Sequence, residues 1–184
     1  TSDQWDWLYP AFYEAISKHG SSIWPNVEKH LLGQTGIEKF RLDSFLRSSR
    51  HGRKVKNNII TLLPIETVME WAEKDEALLI LARTVSLFDT VNDSTKQVTP
   101  LLLSLIEKFG DKEEFLREIM ANYHSRSWSG SLLPILESDL EIIKPLCLHT
   151  NRNISSWANS MCEDISESIS REQRREDESI MFRS

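Results

Sequence analysis

The sequence predicts an all-α fold, a short solenoid-like stack of antiparallel helix pairs. Three observations predict it. Apolar residues recur at steps of three and four along most of the 184 residues. The polar connections between these runs are a few residues long, as neighbouring helices require. Strict apolar/polar alternation, the mark of a half-buried strand, persists nowhere. The organising element is a helical pair at residues 131–175. Its first limb sets Leu133, Leu136, Leu140, Ile143, Leu146 and Cys147 on one stripe. The second, after the corner TNRN, sets Ile154, Trp157, Ala158, Met161, Cys162, Ile165 and Ile169 on another. A lone hairpin cannot bury both stripes, so further helices must stack on it.

The upstream chain supplies them in order. Residues 5–19 read as a first helix with Trp5, Leu8, Tyr9, Phe12 and Ile16 on its inner face, ended by Gly20. A second runs from Ser21 through Ile23, Trp24, Val27, Leu31 and Leu32 to Gly33, and a third covers residues 35–48. Residues 47–58, RSSRHGRKVKNN, are almost free of apolar side chains and break the pattern as a basic loop or helix end. The pattern resumes with Ile60, Leu63, Ile65, Val68, Met69 and Trp71, and Pro64 suits the first turn of a new helix. Residues 75–88 form another apolar run with Asp75 as its N-cap, followed by a polar loop at 90–97. Thr99-Pro100 reads as a cap with proline at the first helical position, and the helix ends at Gly110. Asp111 caps the next helix, and Glu114 completes a capping box by position. A polar loop at 124–130 carries Trp128 and leads into the organising pair. The total is about ten helical segments. We expect one domain over residues 1–170 and a charged, partly disordered tail over 171–184.

Composition bounds the function. A content of 40% hydrophobic and 27% charged residues is ordinary for a globular protein, and a net charge of −6 argues against a wholesale nucleic-acid coat. No apolar run approaches the roughly 20 residues of a membrane span. The start, TSDQWDWLYP, lacks the basic and apolar regions of a signal peptide and lacks an initiator Met, so we expect a fragment of a longer protein. The two cysteines lie on apolar stripes and read as buried reduced thiols, which fits a cytoplasmic protein.

Three stretches carry a resemblance: the helix opening LPIETVMEWAEKD, the loop SRSWSGSLLP, and HTNRNISSWANSMCEDI followed by its charged tail. From about Thr61 onward the chain resembles the HEAT-like helical repeats found toward the C-termini of bacterial multidomain proteins, some of them in antiphage defence. The resemblance implies a right-handed stack of antiparallel helix pairs serving as a non-catalytic scaffold, sensor or regulatory protein-interaction module. Its partner would be another protein or a neighbouring domain of the same chain. It carries over no catalytic residue, and no cofactor is expected.

The strongest anomaly is charge placement. Lys39, Arg41, Arg47, Arg50, Arg53, Lys54 and Lys56 face one acid, Asp43, a net of +6 in a chain of −6. Such a cluster can dock an acidic partner surface or neutralise phosphates, or it can simply be a solvated loop. Nucleic-acid binding through it is the rival function. Trp5, Trp7 and Trp128 are candidate interface anchors, because neither the Trp5-Asp6-Trp7 pair nor a tryptophan in a Ser-rich loop suits one core face. Trp24, Trp71 and Trp157 lie on stripes and read as core. Cys147, His149 and Cys162 make a poor zinc set, since a structural site needs four ligands and no paired C-x₂-C spacing exists. No nucleophile elbow and no phosphate loop is present. A helical-repeat DNA glycosylase is the one enzyme class such a fold admits, and its carboxylate and basic track cannot be assigned here.

Overall fold

A computed structural model of the chain describes residues 3–32, 46, 59–91, 95–125 and 130–181. The protein is predominantly helical, with seven α-helices and one small β-ribbon among the described residues. Two compact units divide the chain, residues 1–86 and 87–184. Among the described residues no helix is long and apolar enough to cross a membrane.

In the first unit, α1 (Asp3–Leu31) merges the first two expected helices across a kink. The break falls at His19, whose backbone is non-helical (φ −136°, ψ 24°), one residue before the expected stop at Gly20. Ser22 Oγ donates to the His19 carbonyl at 2.9 Å and so occupies an acceptor that the kink frees. Pro25 lies six residues after the break, inside the second half of α1. Gly20 is buried for a different reason than termination. A β-carbon there would meet Leu63 Cδ2 at 3.0 Å, so the glycine lets α1 approach the turn that follows the 3₁₀ segment Ile59–Leu62. Two short helices follow among its described residues, α2 (Ile65–Trp71) and α3 (Asp75–Thr84). Ile16, Trp24, Val68, Trp71, Leu78 and Leu81 are buried, as their spacing requires. Trp24 and Trp71 pack edge to face with ring centroids 4.9 Å apart, and Lys74 pairs with Glu28 across α1. The third expected helix, residues 35–48, lies outside the described residues apart from buried Leu46.

The second unit corrects the expectation of a strandless chain. The apolar run at 75–88 leaves the helix after Thr84, whose hydroxyl bonds back to the Ile80 carbonyl at 2.8 Å. Val85 is already extended (φ −68°, ψ 129°). The expected loop at 90–97 then holds most of an antiparallel ribbon, β1 (Phe88–Val91) and β2 (Thr95–Val98), with Phe88 opposite Val98 and Thr90 opposite Lys96. Side chains alternate across a strand, so Phe88, Lys96 and Val98 share one face, and Asp89 and Gln97 are exposed on the other.

Four helices follow: α4 (Pro100–Phe109), α5 (Glu113–His124), α6 (Leu133–Ile143) and α7 (Arg152–Met181). Pro100 opens α4 as expected, although the Thr99 side chain makes no capping bond. The expected caps at Asp75 and Asp111 give way to Lys74 and Lys112, whose extended backbones occupy the N-cap positions. The first limb of the organising pair is shorter than expected, because α6 tightens into a 3₁₀ turn at Lys144–Leu148. The second limb is longer. Asn151 caps it, its Oδ1 accepting from the Asn153 amide at 2.9 Å and the Ile154 amide at 3.3 Å. The helix then continues through residues 171–181. Ser131, before α6, bonds Glu176 near the end of α7, and Cys147, after α6, meets Cys162 nearer its start. Forward steps on one limb match backward steps on the other, so the pair is antiparallel. Its seam buries Leu136, Ile143, Ile154, Trp157, Ala158, Met161 and Ile165.

Candidate functional site

A cluster of ionisable groups lies in the second unit, where side chains from β2, α5, α6 and α7 meet. Asp139 occupies the inner face of α6 between Leu136 and Ile143 and has no exposed surface. A carboxylate taken fully out of water must be paired and hydrogen-bonded. Lys96, from the inner face of β2, bonds Asp139 Oδ1. Tyr123, in the last turn of α5, donates its hydroxyl to Oδ2 at 3.2 Å. The Lys96 ammonium also lies 4.3 Å from the centre of the Phe88 ring, a cation–π contact on the shared ribbon face. Phe88 and Tyr123 pack edge to face at 6.4 Å.

The next residue of α5 faces α7. His124 Nε2 stands 2.9 Å from Asp164 Oδ2. That oxygen is buried and has no well-aligned hydrogen-bond donor, so the approach is a close contact and not a hydrogen bond. The ring also packs against Tyr123, with centroids 5.2 Å apart. One turn end of α5 thus reaches α6 through Tyr123 and α7 through His124.

A carboxylate, a phenol and an amine in sequence can relay a proton where a substrate reaches them. Here Asp139 is sealed and Tyr123 is 2% exposed, while the Lys96 side chain keeps 31% of its surface. The arrangement is suited to fastening the ribbon onto the helices.

The seven basic residues Lys39, Arg41, Arg47, Arg50, Arg53, Lys54 and Lys56 lie outside the described residues, as does Trp128. Trp5 and Trp7 fall in the first turns of α1. Trp24, Trp71 and Trp157 are buried to 2% exposure or less. Among the described residues no three His, Cys, Asp or Glu side chains are grouped to hold a metal. His149 Nδ1 instead accepts the Asn151 amide at 3.1 Å. The two cysteines are nearer the surface than their stripes implied, half-buried rather than buried. Their sulfurs are 3.5 Å apart, and burial with the Cys147 contact pushes the Cys162 thiol up to about 11.

Sequence reading missed Asp139. Leu136, Asp139 and Ile143 are spaced as helically as Leu136, Leu140 and Ile143, and the apolar residue was preferred over the acid. The structure buries Asp139 and leaves Leu140 half-exposed. Comparison of the chain with protein families, with curated proteins and with solved structures finds no match.

Proposed function

We propose that the chain is a non-catalytic helical scaffold, a protein-interaction module built from HEAT-like antiparallel helix pairs. The observation that carries this reading is Asp139. The most deeply buried carboxylate among the described residues binds Lys96 and Tyr123 with no surface left for a substrate. The antiparallel α6–α7 pair supports the repeat architecture. So does the seating of α4 on it: the Asn153 side chain donates to the Glu107 carbonyl at 3.0 Å, which satisfies an end group of α4. Far along α7 the surface turns polar, with exposed Arg171, Gln173, Arg174, Arg175, Asp177 and Glu178 offering a face to a partner.

The rival reading is nucleic-acid binding through residues 39–56, motivated by their net charge of +6. Fluorescence anisotropy with DNA and RNA at two salt concentrations separates the two. The scaffold reading expects no tight, salt-sensitive binding by the chain. Steep salt dependence that vanishes when Arg50, Arg53 and Lys54 are changed to Glu would establish phosphate contacts and replace it.

A further inference from the structure

We propose that Cys147 and Cys162 form a reversible thiol–disulfide site, oxidised by exchange with a low-molecular-weight disulfide and closing the corner of the α6–α7 pair. These are the two cysteines of the chain, and the fold brings them together from either side of the corner. Each sulfur is the other's hydrogen-bond partner at 3.5 Å. A covalent bond needs about 2.0 Å, a gap that side-chain rotation and a small backbone adjustment can close. Cys147 sits on the 3₁₀ turn Lys144–Leu148, a segment with poorer hydrogen-bond geometry than an α-helix and therefore easier to shift. Solvent reaches that turn. Leu148, the next residue, is 90% exposed, and both cysteines are half-buried. A pair with a structural role alone would be expected deeper in the seam, with Ala158 and Met161.

The chemistry proceeds in two exchanges. The Cys147 thiol loses its proton to solvent, and the thiolate attacks one sulfur of an incoming disulfide such as oxidised glutathione. One glutathione thiol leaves, and the other half stays on Cys147 as a mixed disulfide. Cys162 then loses its proton and attacks the Cys147 sulfur, and the second glutathione departs as a thiol. Two protein thiols are oxidised by two electrons, and one small disulfide is reduced to two thiols. The order follows from placement: Cys147 lies on the solvent-reached 3₁₀ turn beside Leu148, whereas Cys162 lies within α7, and the raised Cys162 thiol accords with it. Cys162 is a poor first attacker and is held where it can be the second. Lys144, on the same turn, favours its thiolate during that step.

The test treats the chain with oxidised glutathione near neutral pH, quenches with N-ethylmaleimide, and reads intact mass and non-reduced peptides. Most of the wild-type protein is expected to lose two hydrogens, take up no maleimide and yield a Cys147–Cys162 linked peptide. Dithiothreitol should reverse this. Cys162→Ser should hold glutathione on Cys147 as a stable adduct, and Cys147→Ser should react measurably more slowly than wild type. The oxidised protein should melt at a higher temperature than the reduced. Wild-type protein that takes up two maleimides, retains glutathione, or links only between separate chains would overturn the site. Equal reactivity of Cys147→Ser would overturn the order of attack.

Discussion

Asn153 rests against Gly110 so closely that a β-carbon on the glycine would lie 2.8 Å from the Asn153 Cβ and 2.4 Å from the Ile106 carbonyl oxygen. The glycine ends α4 with an ordinary backbone (φ −70°, ψ 0°), so its role here is space, not left-handed conformation. Gly110→Ala should therefore destabilise the protein by about 1–3 kcal/mol through overpacking. Gly130 makes the useful contrast. It has φ +88° and nothing within 4 Å of its absent side chain. Gly130→Asn, which tolerates positive φ, should be milder than Gly130→Val. Urea midpoints of the three variants check both statements, and a Gly110→Ala protein as stable as wild type would show that α4 and α7 are less tightly seated.

The buried pair at Asp139 should behave asymmetrically. Removing the acid alone, in Asp139→Ala, strands the Lys96 ammonium and the Tyr123 hydroxyl and should cost about 3–5 kcal/mol. Tyr123→Phe removes one hydrogen bond to a charged acceptor and should cost about 1.5–3 kcal/mol. Replacing both charges together, as Lys96→Met with Asp139→Leu, should recover the part of the loss that comes from the unpaired charge, while Tyr123 still loses its Asp139 acceptor. Equilibrium denaturation of the single and double variants closes the cycle. A double variant as weak as Asp139→Ala would mean that the pair contributes more than its own neutralisation.

Trp24 and Trp71 knit the first unit, so Trp71→Ala should cost about 3–5 kcal/mol by cavity formation. Neither indole N–H finds an acceptor among the described residues, which makes both rings purely apolar packing. Trp71→Phe should for that reason lose less than the alanine variant, with no penalty for a broken hydrogen bond. Trp157→Ala, in the seam of the second unit, should be as severe as Trp71→Ala. Thermal melts followed by circular dichroism would distinguish this from a surface role, which predicts changes of a few tenths of a kcal/mol.

The Cys162 thiol gives a pH dependence with a definite sign. Its folded pKa of about 11 stands above the ordinary 9.0 because burial and the Cys147 contact favour the protonated form. Both folded and unfolded chains keep the proton below about pH 9. Between there and about 11 the unfolded chain releases a proton that the native chain retains, so this contribution to stability is lost as pH rises through that window. Denaturation midpoints of the reduced protein at about pH 8 and about pH 10.5 should fall more in wild type than in Cys162→Ala. Equal falls would place the alkaline loss elsewhere.

Much of the fold was legible because helical spacing was strong and repeated. The stripes that place Trp24, Trp71 and Trp157 in the interior are visible without coordinates, and so is the opening of α4 at Pro100. The ribbon was not read, although its signal exists. Asp89 separates Phe88 from Thr90 and Gln97 separates Lys96 from Val98, and the intervening Asn92, Asp93 and Ser94 are turn formers. Four-residue strands are too short for that alternation to stand out against an apolar run that continues a helix. Caps were misplaced by one residue for a related reason, since Asp75 and Asp111 have the right chemistry whichever residue takes the extended conformation. The cluster at Asp139 was illegible because its members come from four elements. Lys96 and Asp139 are 43 residues apart, and nothing local announces that they meet.

The 30 residues of α7 span about 45 Å, and three earlier parts of the unit lean on them: Glu107 at the start, His124 toward the middle, and Ser131 near the end. During synthesis those parts emerge before the surface that completes them. α4, α5 and α6 must wait with apolar faces open until α7 has left the ribosome, whereas the Trp24–Trp71 contact of the first unit can already form. The second unit should thus complete its folding late, once α7 is available.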